Sequence, residues 1–194
     1  NATGTGLPAS FTLNPTGSGG TAQQTFSNLT PGASYSVTEI VTGTVNNANY
    51  SLASLSCVDN AGAPTGSVFA PTVVNNATTF GTVTINPLVA GANVTCTFVD
   101  VVNPRITMIK QTTGGNGTFG FTASTTAGNL TSTAPSITTT SGSGFFEQRI
   151  AGLGGGSATV TFTENAPASP FVFTSLSCVN VATGATVGTV TGRQ

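Results

Sequence analysis

This 194-residue chain carries only four basic and five acidic side chains, and no histidine. Four of these charges fall where strand alternation turns them inward. In Val94-Thr-Cys-Thr-Phe-Val-Asp100 the residues Val94, Cys96, Phe98 and Asp100 share one parity, which puts a carboxylate on an otherwise apolar strand face. Lys110 shares its parity with Ile106 and Met108, Glu39 with Tyr35 and Val37, and Glu164 with Val160 and Phe162. An unpaired buried charge is expensive, so Lys110, Glu164, Glu39 and Asp100 predict ion pairing or a covalent link. The alternative is that they sit solvated at strand ends, with the inward parity accidental.

Three cysteines offer a second kind of chemistry. Cys57 and Cys96 lie in strand-like segments with apolar flanks. A disulfide between them would close a loop of about 40 residues, contribute roughly 4 kcal/mol by chain entropy, and imply an oxidising compartment. The alternative is three buried free thiols. Without histidine, Ser-His-Asp and Cys-His catalysis and histidine-ligated metals are excluded within the chain. No CxxC spacing suggests a metal. The run Gly154-Gly-Gly156 precedes a strand and lacks a following Lys-Ser/Thr, so it is not a phosphate loop. No catalytic residue, metal ligand or cofactor is therefore expected. Tyr35, Tyr50 and the twelve phenylalanines read as core rather than as a binding platform.

The elements that must position these groups are strands. Charged residues make up 5% of the chain and hydrophobic ones 38%, so Gly, Ser, Thr, Asn and Pro supply the polarity of a foldable rather than a disordered sequence. No ten-residue window shows helical periodicity free of Gly, Pro or β-branched runs. Strands are expected at Ser10–Leu13, Gln23–Phe26, Ser34–Ile40, Tyr50–Val58, Phe80–Ile85 and Asn93–Val99. A second set is expected at Ile106–Lys110, Gly117–Ala123, Gly144–Ile150, Ala158–Glu164 and Phe171–Val179. A net charge of −1 gives no footprint for nucleic acid. No apolar run approaches the roughly 20 residues of a membrane helix. The N-terminus lacks a signal-peptide pattern, so a signal, if the chain is exported, has been removed or lies upstream.

The second set repeats the first. Gln24-Thr-Phe-Ser-Asn-Leu29, a Pro-Gly turn and Tyr35-Ser-Val-Thr-Glu39 recur as Gln148-Arg-Ile-Ala-Gly-Leu153, a glycine run and Val160-Thr-Phe-Thr-Glu164. Ser54-Leu-Ser-Cys-Val58 recurs as Ser175-Leu-Ser-Cys-Val179, and Ala9–Leu13 matches Thr118–Thr122 more loosely. The repeat is out of phase with the chain. Residues 1–102 have a closing strand, Val94–Asp100, but no counterpart of Arg105–Lys110; residues 103–194 have that opening strand but no counterpart of Val94–Asp100. Two tandem β-sandwich domains are expected, 1–102 and 103–194, each short of one strand.

The strand-lysine segment Ile106–Lys110, the Leu-x-Pro-Gly-x-x-Tyr-x-Val-x-Glu of Leu29–Glu39, and the Ser-Leu-Ser-Cys and Val-Thr-Cys-Thr-Phe-Val-Asp segments resemble the prealbumin-like, Ig-like β-sandwich repeats of bacterial surface proteins, including SpaA/Cna-B-type pilin and adhesin modules. The resemblance spans nearly the whole chain on short motifs. It implies stalk or filament modules, in some cases cross-linked by a Lys-to-Asn/Asp isopeptide bond beside an acid. Here that triad is split. Glu39 and Asp100 fall in the first repeat without a lysine, and Lys110 and Glu164 in the second without the acceptor. Cys178, the counterpart of Cys57, would find its partner on the missing strand, outside the chain.

The expected function is a structural module of a secreted surface stalk, fibre or pilus-like filament, extracellular or at the cell surface. Its expected partners are further copies of itself or adjacent repeats of the same polypeptide, through strand complementation. Asn1–Pro8 and Val187–Gln194 are the segments with length to donate. The alternatives are an adhesin module recognising a glycan or host protein, or an accessory domain of a secreted hydrolase. An adhesin tip should carry a distinctive insertion with exposed aromatics or acidic metal ligands, which Ala123–Ser143 lacks. Seven Asn-x-Ser/Thr sequons, among them Asn28, Asn76 and Asn116, stand against about five expected by chance from composition. Glycans remain a partner that composition permits without indicating.

Overall fold

Val, Thr, Ile and Phe fit a pleated surface, and the Gly, Pro and Asn between them interrupt each run before a helix could nucleate. The computed structural model describes residues 1–16, 19–40, 49–59, 69–73, 79–166 and 171–191. Among the described residues there are strands and turns, and no helix long and apolar enough to cross a membrane. Sequon position Asn76 and the last three residues of Val187–Gln194 lie outside them. The chain divides into two compact units, Asn1–Val102 and Asn103–Gln194.

Unit 1 contains β1 (Ala2–Thr3), β2 (Tyr35–Ile40), β3 (Tyr50–Asp59), β4 (Phe69–Val73), β5 (Thr79–Ile85) and β6 (Val94–Val102). One antiparallel sheet runs in the order β1-β2-β5-β4, and β3 pairs with β6 in a second layer. Leu52 and Leu55 of β3 meet Phe80 and Val83 of β5 between the layers, joined by Val37, Tyr50, Cys57, Cys96 and Phe98. Each fully buried aliphatic or aromatic side chain contributes roughly 1.5–3 kcal/mol. The layers approach closely at Gly81, where an added Cβ would lie 2.5 Å from Leu52 Cδ2. Tyr35 is buried. Its hydroxyl accepts the N–H of Thr30 at 2.8 Å and donates to the carbonyl of Thr30 at 3.1 Å, tying the preceding turn to the sheet.

Unit 2 contains β7 (Arg105–Gln111), β8 (Thr118–Thr125), β9 (Asn129–Leu130), β10 (Ser136–Thr138), β11 (Ser143–Ala151) and β12 (Val160–Glu164). Its layers are β10-β8-β12 and β7-β11-β9. Phe119, Phe121 and Ile137 form the centre, covered by Met108, Phe146 and Phe171. Phe119 and Phe171 meet edge to face at 5.2 Å. Both units are thus all-β, each in two layers.

Three expected strands do not form: Ser10–Leu13, Gln23–Phe26 and Phe171–Val179. Each failure has a partner-based reason. The second-repeat counterpart of Gln24–Leu29 begins within β11, which pairs along most of its length with β7. Among the described residues of unit 1 nothing takes the place of β7. The counterpart of Ser175–Val179 lies in β3, which pairs with β6 alone, and nothing among the described residues of unit 2 takes the place of β6. Backbone donors and acceptors without a neighbouring strand turn to water instead. Phe11 and Phe26 still pack edge to face at 5.0 Å, so the apolar pattern is used without the ladder. Ser10–Leu13 meets a different obstacle. Ala2–Thr3 lies on β2 opposite Val37 and Ser36, the place β8 takes on β12, where Ala123 and Ser124 oppose Phe162 and Thr161.

The gap in unit 2 extends beyond its closing strand. In unit 1 β2 is flanked by β5, whereas among the described residues β12 pairs only with β8. The two segments expected to be spare are engaged within their own units. Ala2–Thr3 is β1, and the N–H of Val187 donates to the carbonyl of Cys178 at 3.0 Å beside a bridge between Val179 and Thr186.

Candidate functional site

The inward side of β7 carries Ile106, Met108 and Lys110, because alternate residues of a strand face one way. Lys110 Nζ donates to Glu164 Oε1 of β12 at 2.7 Å, with side-chain exposures of 18% and 7%. The ammonium also stands 4.5 Å from the centre of the Phe119 ring, so an ion pair and a cation–π contact close one edge of the unit 2 core. Such a pair holds its partners firmly because removing either leaves a charge desolvated and unpaired.

The corresponding place in unit 1 is different. Glu39 of β2, the counterpart of Glu164, lies in a unit that contains no basic side chain. All four Lys and Arg residues lie after position 102. Its neighbour is Asp100 of β6, with which it shares a hydrogen bond. Desolvation first, then the Asp100 charge and that hydrogen bond, push Glu39 up from 4.5 to about 7. Desolvation also raises Asp100, and the hydrogen bond with Glu39 partly opposes this. Glu39 Oε2 is buried without a hydrogen-bond partner among the described residues. The pair therefore behaves as two carboxyls sharing a proton.

Alternation along β6 is kept as far as Asp100, which pairs with the buried Leu52. A bulge lies instead in β3: Leu52 pairs with Asp100 and Ser54 with Val99, leaving Ala53 unmatched, and this extra residue moves the inward parity of β3 from Leu52 to Leu55. Asp100 is exposed near the end of β6, and its carboxyl reaches Glu39. The structure joins Lys110 to Glu164 within unit 2 and Glu39 to Asp100 within unit 1.

Cys57 and Cys96 oppose each other directly on β3 and β6, with Cα atoms 4.1 Å apart, and are disulfide-bonded. The bond ties adjacent strands of one layer. Cys178 is free and exposed. Asp59, at the end of β3, is fully buried, and its Oδ1 accepts the N–H of Asn93 at 3.0 Å. Its counterpart Asn180 caps its own turn by accepting the N–H groups of Ala182 and Thr183 at 2.9 and 3.2 Å.

Sequence reasoning missed the outer-face cluster in which Glu147 accepts from Arg105 at 3.2 Å and Arg149 at 3.0 Å. Only the β7–β11 register, with Arg149 opposite Arg105, brings the two arginines to one carboxylate. It also missed Phe145, which is 73% exposed beside Ile109 at 67% and is not core. The stretch Ala123–Ser143 supplies Ile137 to the core and buries Thr139, so it is a structural element of the sandwich. Among the described residues no group of His, Cys, Asp and Glu could hold a metal ion.

Comparison with curated proteins and with solved structures returns no match. The profile of SpaA_4, a prealbumin-like fold domain, matches residues 1–101 and again 106–194. With two copies of that profile covering nearly all of its length and a β-sandwich built in each, the chain belongs to the SpaA_4 prealbumin-like fold domain family.

Proposed function

We propose that this chain is a structural module of a secreted bacterial surface stalk, fibre or pilus-like filament, joined head to tail to further repeats by strand complementation. One observation carries the reading. Two of the three segments that form no strand, 23–29 and 171–179, are those whose counterparts start against β7 and lie against β6, and among the described residues neither unit has the strand that its own segment needs. An unpaired edge along an apolar cleft is a template for another strand. A low charge content and the Cys57–Cys96 bond suit a protein that persists outside the cell. No residue is assigned a catalytic role. Lys110 is held by an ion pair, or by an isopeptide bond to a carboxyl or carboxamide of the strand that closes unit 2. The amide would form with loss of water or ammonia.

The test is the recombinant chain alone, followed by sedimentation over a wide concentration range and by amide hydrogen exchange. The expected result is self-association with fast exchange at 23–29 and 171–179 in the monomer. A stable monomer at high concentration with slow exchange in both segments would refute the reading.

A further inference from the structure

Unit 2 has a long groove lined by β7, β12 and residues 171–182 and 187–191. Phe119, Phe121 and Ile137 also line it. Val172, Leu176 and Val179 in its lining are exposed, although Ser175-Leu-Ser-Cys-Val179 is identical in sequence to Ser54-Leu-Ser-Cys-Val58 of β3. In unit 1 that same pentapeptide is a paired strand, and its partner is β6, in a defined register. Cys57 opposes Cys96, Leu55 opposes Phe98 and Asp59 opposes Val94.

We infer that the unit 2 groove is a receptor for a β-strand of the pattern Val-Thr-Cys-Thr-Phe-Val-Asp, bound antiparallel to 171–180 with its cysteine opposite Cys178. The repeat fixes the rest of the register. The incoming phenylalanine lies opposite Leu176, the first valine opposite Asn180, and the aspartate opposite Phe173. In unit 1 the Asp100 carboxyl reaches Glu39. The equivalent carboxyl therefore enters unit 2 beside Glu164, where Lys110 Nζ already stands at 2.7 Å. The arriving strand completes a Lys–Glu–Asp cluster and covers apolar side chains that are now wet. Its source is another repeat of this kind, because β6 of this chain is engaged in its own unit.

The covalent step is thiol–disulfide exchange. The Cys178 thiolate attacks a disulfide on the incoming cysteine, a new S–S bond forms, and the displaced thiolate leaves with its electron pair, so no further oxidant is needed. This inference rests on the stalk reading only for the natural source of the strand.

The experiment uses the whole chain and a synthetic peptide with the sequence Ala92–Val102, its cysteine activated as the thionitrobenzoate mixed disulfide. Cys178 is the free thiol of the chain, so the coloured thiolate released counts its reaction. Docking raises the effective concentration, and the matched peptide should react about tenfold faster or more than one with the same residues scrambled around the cysteine. The adduct should slow amide exchange across 171–179. A peptide with serine for the cysteine, given to Cys178→Ser chains, should give the same protection, which separates backbone pairing from sulfur chemistry. Equal rates for matched and scrambled peptides, or a rate difference without protection of 171–179, overturns the inference. Chains that stay monomeric while the peptide docks would refute the filament reading and leave this one standing; chains that assemble while the peptide fails to dock would do the reverse.

Discussion

Replacing Glu39 by glutamine should flatten the pH dependence of unit 1. Glu39 is held at about 7 in the folded chain against an ordinary 4.5. A carboxyl whose folded value is raised contributes its stability below the unfolded value and loses it as pH climbs through the folded one. Unit 1 should therefore weaken steadily between about pH 4.5 and pH 7. At about 1.4 kcal/mol per pH unit the full rise would correspond to roughly 3 kcal/mol. Glu39 is only half-buried, and solvent screening reduces this to about 1–2 kcal/mol. That lowers a urea midpoint by about 1 M across the window. The chain has two tyrosines and no tryptophan, and Tyr35 and Tyr50 both lie in unit 1, so tyrosine fluorescence reports that unit alone. Glu39→Gln keeps the shape and removes the titration. Subtracting its urea midpoints from those of the parent chain cancels whatever is common to both. If the two chains show the same slope from pH 4.5 to pH 7, or the parent gains stability relative to the variant as pH rises, the shared-proton account of Glu39 and Asp100 is wrong.

Replacing both Cys57 and Cys96 by serine opens a loop of sequence separation 39 and should cost unit 1 about 4 kcal/mol, read by the same fluorescence; native protein that alkylates at both positions without reductant would contradict the bond. Glu164→Ala leaves the Lys110 ammonium beside Phe119 without its acid and should cost unit 2 about 2–4 kcal/mol, while the double change with Lys110→Met recovers part of the loss. Circular dichroism melts of the two variants check this. Gly81→Val drives a side chain into Leu52 and should lower the unit 1 midpoint by an amount equivalent to about 1–3 kcal/mol, with no change in unit 2. Tryptic mapping of native material tests the covalent form of the lysine link, since cleavage after Lys110 in every molecule excludes an isopeptide bond there.

The sequence by itself determined the strand class, the repeat, and most inward faces. Period-two alternation is a local property, and it placed Lys110 with Met108 and Glu164 with Phe162 without reference to any other part of the chain. Identical pentapeptides at Ser54 and Ser175 were equally legible. Whether such a segment becomes a strand was not, because extended backbone is stable only when a neighbour accepts its hydrogen bonds. Ser54–Val58 has β6 beside it and is a strand; Ser175–Val179 has the same residues, no such neighbour among the described residues, and is not. Ala2–Thr3 became a strand on the strength of a vacancy beside β2 rather than of its own composition. Tertiary structure also decided the acids. The bulge at Ala53 moved the inward face of β3 from Leu52 to Leu55, and the placing of every basic residue after position 102 left the Glu39 site of unit 1 with a second carboxyl as its partner. Alternation assigns a face within one strand; which charge waits across the cleft depends on pairing between strands far apart in the chain.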